Sequence, residues 1–484
     1  MLPRCRFQCA VFAFVIAYCD LAPAASSVVV GTPPGFAAGT TGGGDIEPVY
    51  PTTAEELTTY LSDAEPRVIV LKQEFEFIGT EGSSTEKGCR PQHHLTCLAK
   101  KNGFSGQDEL QQNGRTCDGS EVEVTYDKAA DKPLIIASDK TLVGEGTKGV
   151  LNGKGLMIKG NNIIVQNVHV TNLNPAVVFG GDGIAVAGDD DANPPTGIWL
   201  DHVKVSSVGR QMVVVHYAGA KQLTISNSDF DGNTKYSSSC DGHHYWGFLI
   251  LGTKVEMSIV GNYFHATSGR SPKIGGYDNQ EEVVHVANNY FSDNTGHAFA
   301  VSTGGYVLAE GNYFDSVKTP IEKADPNGHF FVPKAAGDCK ASIGRDCELN
   351  VLNDSGDFAG YGENDVATKI GDHKTEIGGY AVTAAAKASA ASGNFGVGEL
   401  GSGVEQTSAS SGTAAVSTDA SGAAQQETAQ ISPASAATES GSAESPIATT
   451  DAPIQQGSNA QGGSMATDNT TSTVIEKCTP RKRT

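Results

Sequence analysis

The sequence predicts an all-β protein wound as a parallel β-helix, and three observations carry that expectation. A strand-like motif recurs, Asn marks its end, and the copies are unevenly spaced. The motif is two or three alternating apolar residues, then Asn, then more apolar residues. It stands at residues 163–168, 223–227, 258–264, 284–291 and 307–314, with 198–203 filling a gap and His202 in the Asn place. The marker positions 167, 202, 227, 262, 289 and 312 lie 23 to 35 residues apart. Short strands repeating on that scale read as a solenoid, and period-2 strands broken by Asn and Gly read as coils of a parallel β-helix. Asn tolerates the left-handed backbone of a tight turn, and stacked Asn side chains can hydrogen-bond from coil to coil. His202 is expected to fill a turn of this ladder. A two-sheet sandwich shares the strand pattern but gives the recurring Asn no reason. Uneven spacing maps to loops of unequal size, which in a solenoid build the binding face.

Ahead of these coils, Arg4 and Arg6 precede an apolar run from Ala10 to Tyr18 and the small residues Ala22, Ala24 and Ala25. That order predicts a secretory signal peptide over residues 1–25 and a secreted, extracellular protein. The run is too short to span a membrane, and no later one approaches the length required. Residues 26–382 mix aromatic, β-branched, Gly and Asn residues and are the expected folded domain. From Gly396 onward there is no aromatic residue, and Ala, Ser, Thr, Gly and Gln dominate. Such a segment buries too little apolar surface to offset its chain entropy, so residues 383–484 are expected to form a disordered tail. It ends in the basic cluster Lys477, Arg481, Lys482 and Arg483. A glycosylated spacer, a wall-contacting arm and a plain unstructured tail all fit it. Asn353-Asp354-Ser355 and Asn469-Thr470-Thr471 match N-glycosylation sequons.

The formal net charge of −21 argues against nucleic acid, which requires basic patches. It also disfavours a fully ionised polyanion at long range, so a neutral or esterified polymer fits better. Of ten cysteines, Cys5, Cys9 and Cys19 lie in the signal. Cys89, Cys97, Cys117, Cys240, Cys339 and Cys347 lie in the folded part, and Cys478 is the odd one in the tail. Export makes disulfides the default reading, and no Cys/His spacing resembles a zinc site.

The stretch Ser268-Gly269-Arg270-Ser271-Pro272-Lys273 follows a strand-like run. Arg offers a planar fork of donors for a carboxylate or ester oxygen, and Lys adds a mobile charge. Further ordered blocks include 50–53, Leu142-Val143-Gly144-Glu145-Gly146, Gly180-Gly181-Asp182-Gly183-Ile184, Gly209-Arg210-Gln211, Gly242-His243-His244-Tyr245-Trp246 and 304–312. Together these blocks, spread over residues 28–379, resemble the pectin lyases of the family-1 polysaccharide lyases. The resemblance implies a right-handed parallel β-helix with long loops forming a cleft. It implies β-elimination of an α-1,4-linked galacturonan, by removal of the C5 proton and departure of the C4 oxygen. Arg270 aligns with the family's catalytic arginine, with Lys273, Arg210 and Asp182 beside it. An isolated Arg, with a pKa above ~12, is a poor base. Arg270 is therefore either a base in a cationic neighbourhood or a stabiliser of charge on the C6 oxygens while water takes the proton.

Pectate lyases of the family hold Ca²⁺ through several acidic groups. Asp182 matches one such position, but Arg210 stands where further ligands belong, which implies an enzyme with no metal or other cofactor, acting on methyl-esterified pectin as a monomer. Asp189-Asp190-Asp191 reads as a solvated turn rather than a metal site. Pectin lyases line the cleft with several tryptophans, whereas this chain has only Trp199 and Trp246. Trp199 lies on an alternating strand and reads as core. Phe179 stands near one cleft tryptophan position and Gln92 near another. Trp246, Phe179, His243 and His244 are the candidate substrate contacts, although the two histidines suit packing equally well. His297 is expected to be buried and hydrogen-bonded. Family pairing implies the disulfides Cys89–Cys117, Cys97–Cys240 and Cys339–Cys347. The competing readings are a calcium-dependent pectate lyase and a non-catalytic β-helix that binds wall polysaccharide.

Overall fold

The computed structural model describes residues 28–110, 116–188, 192–322, 328–358, 364–389 and 395–400. The predicted signal peptide, the Asp189–Asp191 run, the Asn469 sequon, Cys478 and the basic C-terminal cluster lie outside the described residues.

Each coil uses up to three short strands, and each strand joins a different parallel sheet. The first sheet has nine strands, in order Arg67–Leu71, Lys140–Gly144, Ile163–Gln166, Thr196–Asp201, Gly219–Ser226, Lys254–Val260, Glu281–Ala287, Gly305–Glu310 and His329–Phe331. The second runs from Phe75–Glu76 through Val150–Asn152, His169–Leu173, Lys204–Val208, Asp229–Asp231 and Tyr263–Thr267 to Tyr290–Val301. Tyr313–Ile321 and Val351–Asn353 extend it. The third holds Leu134–Ile136, Leu156–Ile158, Ile184–Val186, Val213–Val215, Phe248–Ile250 and Lys273–Ile274, and joins the second through the far end of Tyr290–Val301. Neighbours within a sheet are therefore one coil apart in sequence, as a parallel β-helix requires.

Alternation sorts each strand into an inner and an outer row. Ile163 and Val165, Ile198 and Leu200, and Leu223 and Ile225 point into one continuous core. Deeper in the stack, Phe230, Phe264, Phe291 and Phe314 lie one above another, with ring centroids 4.7–5.0 Å apart and planes within 23° of parallel. Trp199 faces the other way. It is 2% exposed, packs with Ile164 and Ala37, and donates its indole N–H to Ser226 Oγ at 2.9 Å.

The turn from the first sheet to the second divides between two neighbouring positions the two tasks the sequence reading gave to one Asn. The left-handed residues are Asn167, His202, Asn227, Gly261, Asn288 and Gly311, with φ from 49° to 66°. In the later coils Asn262, Asn289 and Asn312 come one residue afterwards and are buried. There Asn262 Nδ2 donates to Asn289 Oδ1, Asn289 to Asn312, and Asn312 to Asn350, each at 2.9 Å. A Gly takes the left-handed position in two of these coils, which frees the following Asn to point inward. His202 holds its turn as expected, with Nδ1 2.7 Å from Asp201 Oδ2.

Two segments outside the sheets run across the coils. Residues 28–43 cover the outer face of the first sheet: Val30 exchanges two hydrogen bonds with Gln166, Ala37 N–H donates to Thr224, Phe36 N–H to Ser258 and Gly43 N–H to Thr141. The second segment corrects the expected tail boundary at 383. Residues 383–389 and 395–400 lie on the ridge of left-handed turns: Thr383 exchanges hydrogen bonds with Asn288, Gly396 N–H donates to Asn227 O, and Gly398 exchanges hydrogen bonds with Asn167. The ridge offers outward-facing polar groups, so a segment poor in apolar residues can still pair its backbone there.

A separate layer covers one end of the turns. Strands Ser83–Arg90 and Ser120–Asp127 pair antiparallel, and Asp108–Leu110 links them to Val177–Val178 of the helix. Cys89–Cys117 closes this layer, Cys97–Cys240 ties it to the coils, and Cys339–Cys347 closes a loop near the far end, the pairing that the resemblance implied. Among the described residues no helix is long and apolar enough to cross a membrane.

Candidate active site

The turns from the second sheet to the third stack into a row. Successive coils place Asp182, Arg210, Trp246, Arg270 and His297 there, and main-chain hydrogen bonds hold the coils in register. Gly183 N–H donates to Gln211 O at 2.8 Å, Met212 N–H to Trp246 O at 3.0 Å, and Ser271 N–H to Ala298 O at 2.8 Å.

Arg270 is 6% exposed and left-handed, with φ 46°. Its guanidinium carbon lies 4.8 Å from the Trp246 ring centre and 5.9 Å from that of Tyr245, on aromatic faces that attract a cation. Gly269 permits this approach, because a Cβ there would come within 2.5 Å of the Tyr245 ring. The Arg270 backbone N–H donates to His297 Nε2 at 3.3 Å. Burial pushes the His297 imidazole down, Arg270 and Lys273 push it the same way, and Glu322 opposes them. His297 is thus neutral at neutral pH, with a lone pair for that bond; it is hydrogen-bonded as expected, but half-buried rather than buried. Lys273 sits on the third sheet beside Leu249 and Ala300, close enough for its charge to bear on His297.

One coil away, Arg210 Nη1 is 3.9 Å from Asp182 Oδ2, and Asp182 Oδ1 accepts the Gln211 backbone N–H at 2.9 Å. The Arg210 guanidinium also lies 4.6 Å from the Phe179 ring centre. Each arginine of the row therefore has an aromatic face, and Phe179 and Trp246 each give a face to a cation.

The two histidines separate. His244 is 2% exposed, with Nε2 2.8 Å from Arg210 O and 3.1 Å from Trp246 O. Burial pushes its imidazole down to about 4. It braces two turns from beneath and is a correction to the substrate contact expected of it: a buried ring whose nitrogen serves two carbonyls has no face for a sugar. His243 lies between carboxylates, with Nδ1 3.4 Å from Asp241 and Nε2 3.1 Å from Asp293. The hydrogen bond to Asp241, assisted by Asp293, lifts it to about 9 against burial. It is a cation at neutral pH. Gln92 is exposed at the first turn of helix Gln92–Lys100.

Gln107 carries no sequence signal, and Tyr245 stands inside a matching block with no role assigned to it. Gln107 is fully buried and accepts the Trp246 indole N–H at 2.9 Å, yet it stands in a loop with no motif to mark it. Among the described residues one group of side chains lies within metal-binding reach, Glu310 with Cys339 and Cys347. Its cysteines share a disulfide, and Arg345 and His285 occupy the Glu310 carboxylate, so its donors are spent. At Asp182 a guanidinium stands beside the carboxylate, and among the described residues Asp182 belongs to no group within metal-binding reach, whereas hard-cation sites need several oxygens.

Residues 112–370 match the pectate lyase family. A protein of Aspergillus terreus named "Probable pectin lyase F-2" is 44% identical over 381 residues, covering 78% of this chain and 75% of that one. A protein of Aspergillus flavus named "Probable pectin lyase F" is 46% identical over 388 residues, covering 79% and 86%. The chain belongs to the pectate lyase family, among its pectin lyases. A further family member, "Probable pectin lyase B" of Aspergillus niger, is 44% identical over 353 residues, 72% of this chain and 89% of that one. Among solved structures, a pectate lyase from Bacillus sp. N165 in complex with trigalacturonate covers 71% of this chain and 97% of its own, at 18% identity and a TM-score of 0.42.

Proposed function

We propose that this chain is a secreted, endo-acting pectin lyase that cleaves methyl-esterified α-1,4-galacturonan without a metal ion. The observation that carries the reading is Arg210, lying 3.9 Å from Asp182 and over Phe179, so that a fixed guanidinium stands where a divalent cation would need more carboxylates. The methyl ester removes the substrate's own charge and acidifies the C5 proton, which makes a metal unnecessary.

In the reaction the C5–H bond breaks, a C4–C5 double bond forms, and the C4–O bond breaks as the leaving oxygen gains a proton. Negative charge builds on the C6 oxygens. Arg270 is the donor fork for that charge, and Lys273 adds a second cation along the same row. The aromatic faces under Arg270 favour its action as a cation, so water takes the C5 proton. A site in which two aromatic faces already hold arginines has less stacking surface for a neutral chain, and tolerance of partly de-esterified pectin follows.

The test is ultraviolet absorbance of the conjugated unsaturated product, from highly methylated pectin and from polygalacturonate, each with and without chelator. Product from methylated pectin that resists chelator, and is lost in Arg270→Ala, is the expected result. Product from polygalacturonate alone, and only with calcium, would make the chain a pectate lyase. No product from either would leave a binding protein.

A further inference from the structure

We propose that Gln107 is a positioning residue for elimination: its amide fixes the Trp246 indole, and with it the Arg270 guanidinium, relative to the turn that carries Arg210. This rests on the lyase reading above. Gln107 enters from the loop that joins helix Gln92–Lys100 to strand Asp108–Leu110, and it is fully buried. Its Nε2 donates to Gly209 O at 2.7 Å and to Pro175 O at 2.9 Å, while Oε1 accepts the indole N–H at 2.9 Å. The two carbonyls can only accept and the indole can only donate, so one orientation of the amide satisfies all three. Both of its N–H groups are used. Turning the amide over would set two N–H groups together and an oxygen against two carbonyls.

The partners show what the amide controls. Gly209 immediately precedes Arg210, and the Trp246 ring lies 4.8 Å from the Arg270 guanidinium carbon. His244 already links the same turns through the carbonyls of Arg210 and Trp246. That main-chain brace does not itself hold the indole, whose rotation about its own side-chain bonds is checked by the edge-on Tyr245 ring, with centroids 5.0 Å apart, but by no bond of the brace. Gln107 supplies the bond to the indole. The plane of the indole decides where a guanidinium can stack, and the stacked guanidinium must meet the C6 oxygens as their charge develops. A small rotation therefore weakens transition-state contacts more than ground-state binding.

Four variants test this: Gln107→Leu, Gln107→Glu, Trp246→Phe and the double variant Gln107→Leu/Trp246→Phe, assayed on the full chain. The expected result for Gln107→Leu is a fall in kcat of about tenfold with KM held within about twofold, because Gln107 touches no substrate. Trp246 emission should move to the red, against a constant background from Trp199, the other tryptophan, which is buried and bonded to Ser226. Trp246→Phe keeps a ring face and loses the N–H, so the double variant should be no slower than the slower single one. Gln107→Glu covers the case in which the leucine variant does not fold. Its neutral carboxyl can still accept from the indole and donate to one carbonyl, so its kcat relative to wild type should recover as pH falls. Wild-type kcat and emission in Gln107→Leu, independent losses that multiply in the double variant, or a pH-independent deficit in Gln107→Glu would each overturn the proposal. If the unaltered chain forms no unsaturated product, the lyase reading fails, while the emission shift still reports on the Gln107–Trp246 contact.

Discussion

Replacing Glu282 by Gln should remove an alkaline weakness built into the first-sheet strand Glu281–Ala287, which follows the Arg270 turn. Glu282 is fully buried on the first sheet, and Gly252 N–H donates to its Oε1 at 3.1 Å. Its Oε2 has no hydrogen-bond donor among the described residues and faces, across the position of Gly304, the main-chain oxygens of Gln280 and Tyr277. A carboxylate surrounded by carbonyls is repelled, whereas a carboxylic acid can donate to one of them. Burial accordingly lifts this group from 4.5 to about 8. The folded state keeps the proton and the unfolded chain gives it up near its ordinary value. Stability is therefore full below about pH 4.5 and falls as pH rises toward about 8, with roughly 5 kcal/mol as the upper bound for the whole shift. Denaturant unfolding of wild type and Glu282→Gln across this range checks it. The amide carries a permanent donor, so the difference between the two proteins should shift by at least ~2 kcal/mol in favour of Gln between acid and alkaline conditions. Parallel curves would refute the reasoning, because they would mean that the carboxyl is already ionised in the folded protein.

Other outcomes follow from the site and the ladder. Arg270→Lys keeps the charge but loses the planar fork over Trp246, and product formation should fall by about 10² or more while the melting temperature barely moves. Asn289→Ala removes the side chain that accepts from Asn262 and donates to Ile259 O and Asn312; unfolding free energy should drop by about 3–5 kcal/mol, read by denaturant titration, because buried groups are left unpaired. The double change Cys97→Ser/Cys240→Ser frees the layer that brings Gln107, and about 2–4 kcal/mol of stability should go with it, together with faster proteolysis between residues 97 and 110.

The coil stack was legible because its signals are local. Alternating apolar residues and a recurrent turn residue survive in one dimension, and they marked most of the first-sheet strands. The two-position division of the turn was harder to see, since Gly261 and Gly311 do silently what Asn167 does visibly. Arg270, Arg210 and Asp182 were found through resemblance, which their spacing alone would not have supplied. Gln107 was invisible because its partners are two carbonyls and an indole up to 139 residues away, and nothing in its neighbours announces them. His244 looked like a site residue for the reason that it is next to one. The seating of residues 383–389 and 395–400 was missed because composition reports apolar burial, and these residues are held by backbone pairing instead.

The two segments that run across the coils change how the stack can come apart. A pile of repeats in contact only with their neighbours can fray from either end, one layer at a time. Here residues 28–43 clip coils from Thr141 to Ser258, and Thr383 and Gly398 clip coils at Asn288 and Asn167. Each works as a splint laid along a column of plates, so the coils between Thr141 and Asn288 cannot separate from one another without also breaking bonds to the splint. Local opening of these coils therefore costs more than it would in an unsplinted stack. The half-open states on which proteolytic digestion begins are thereby made rarer among the splinted coils.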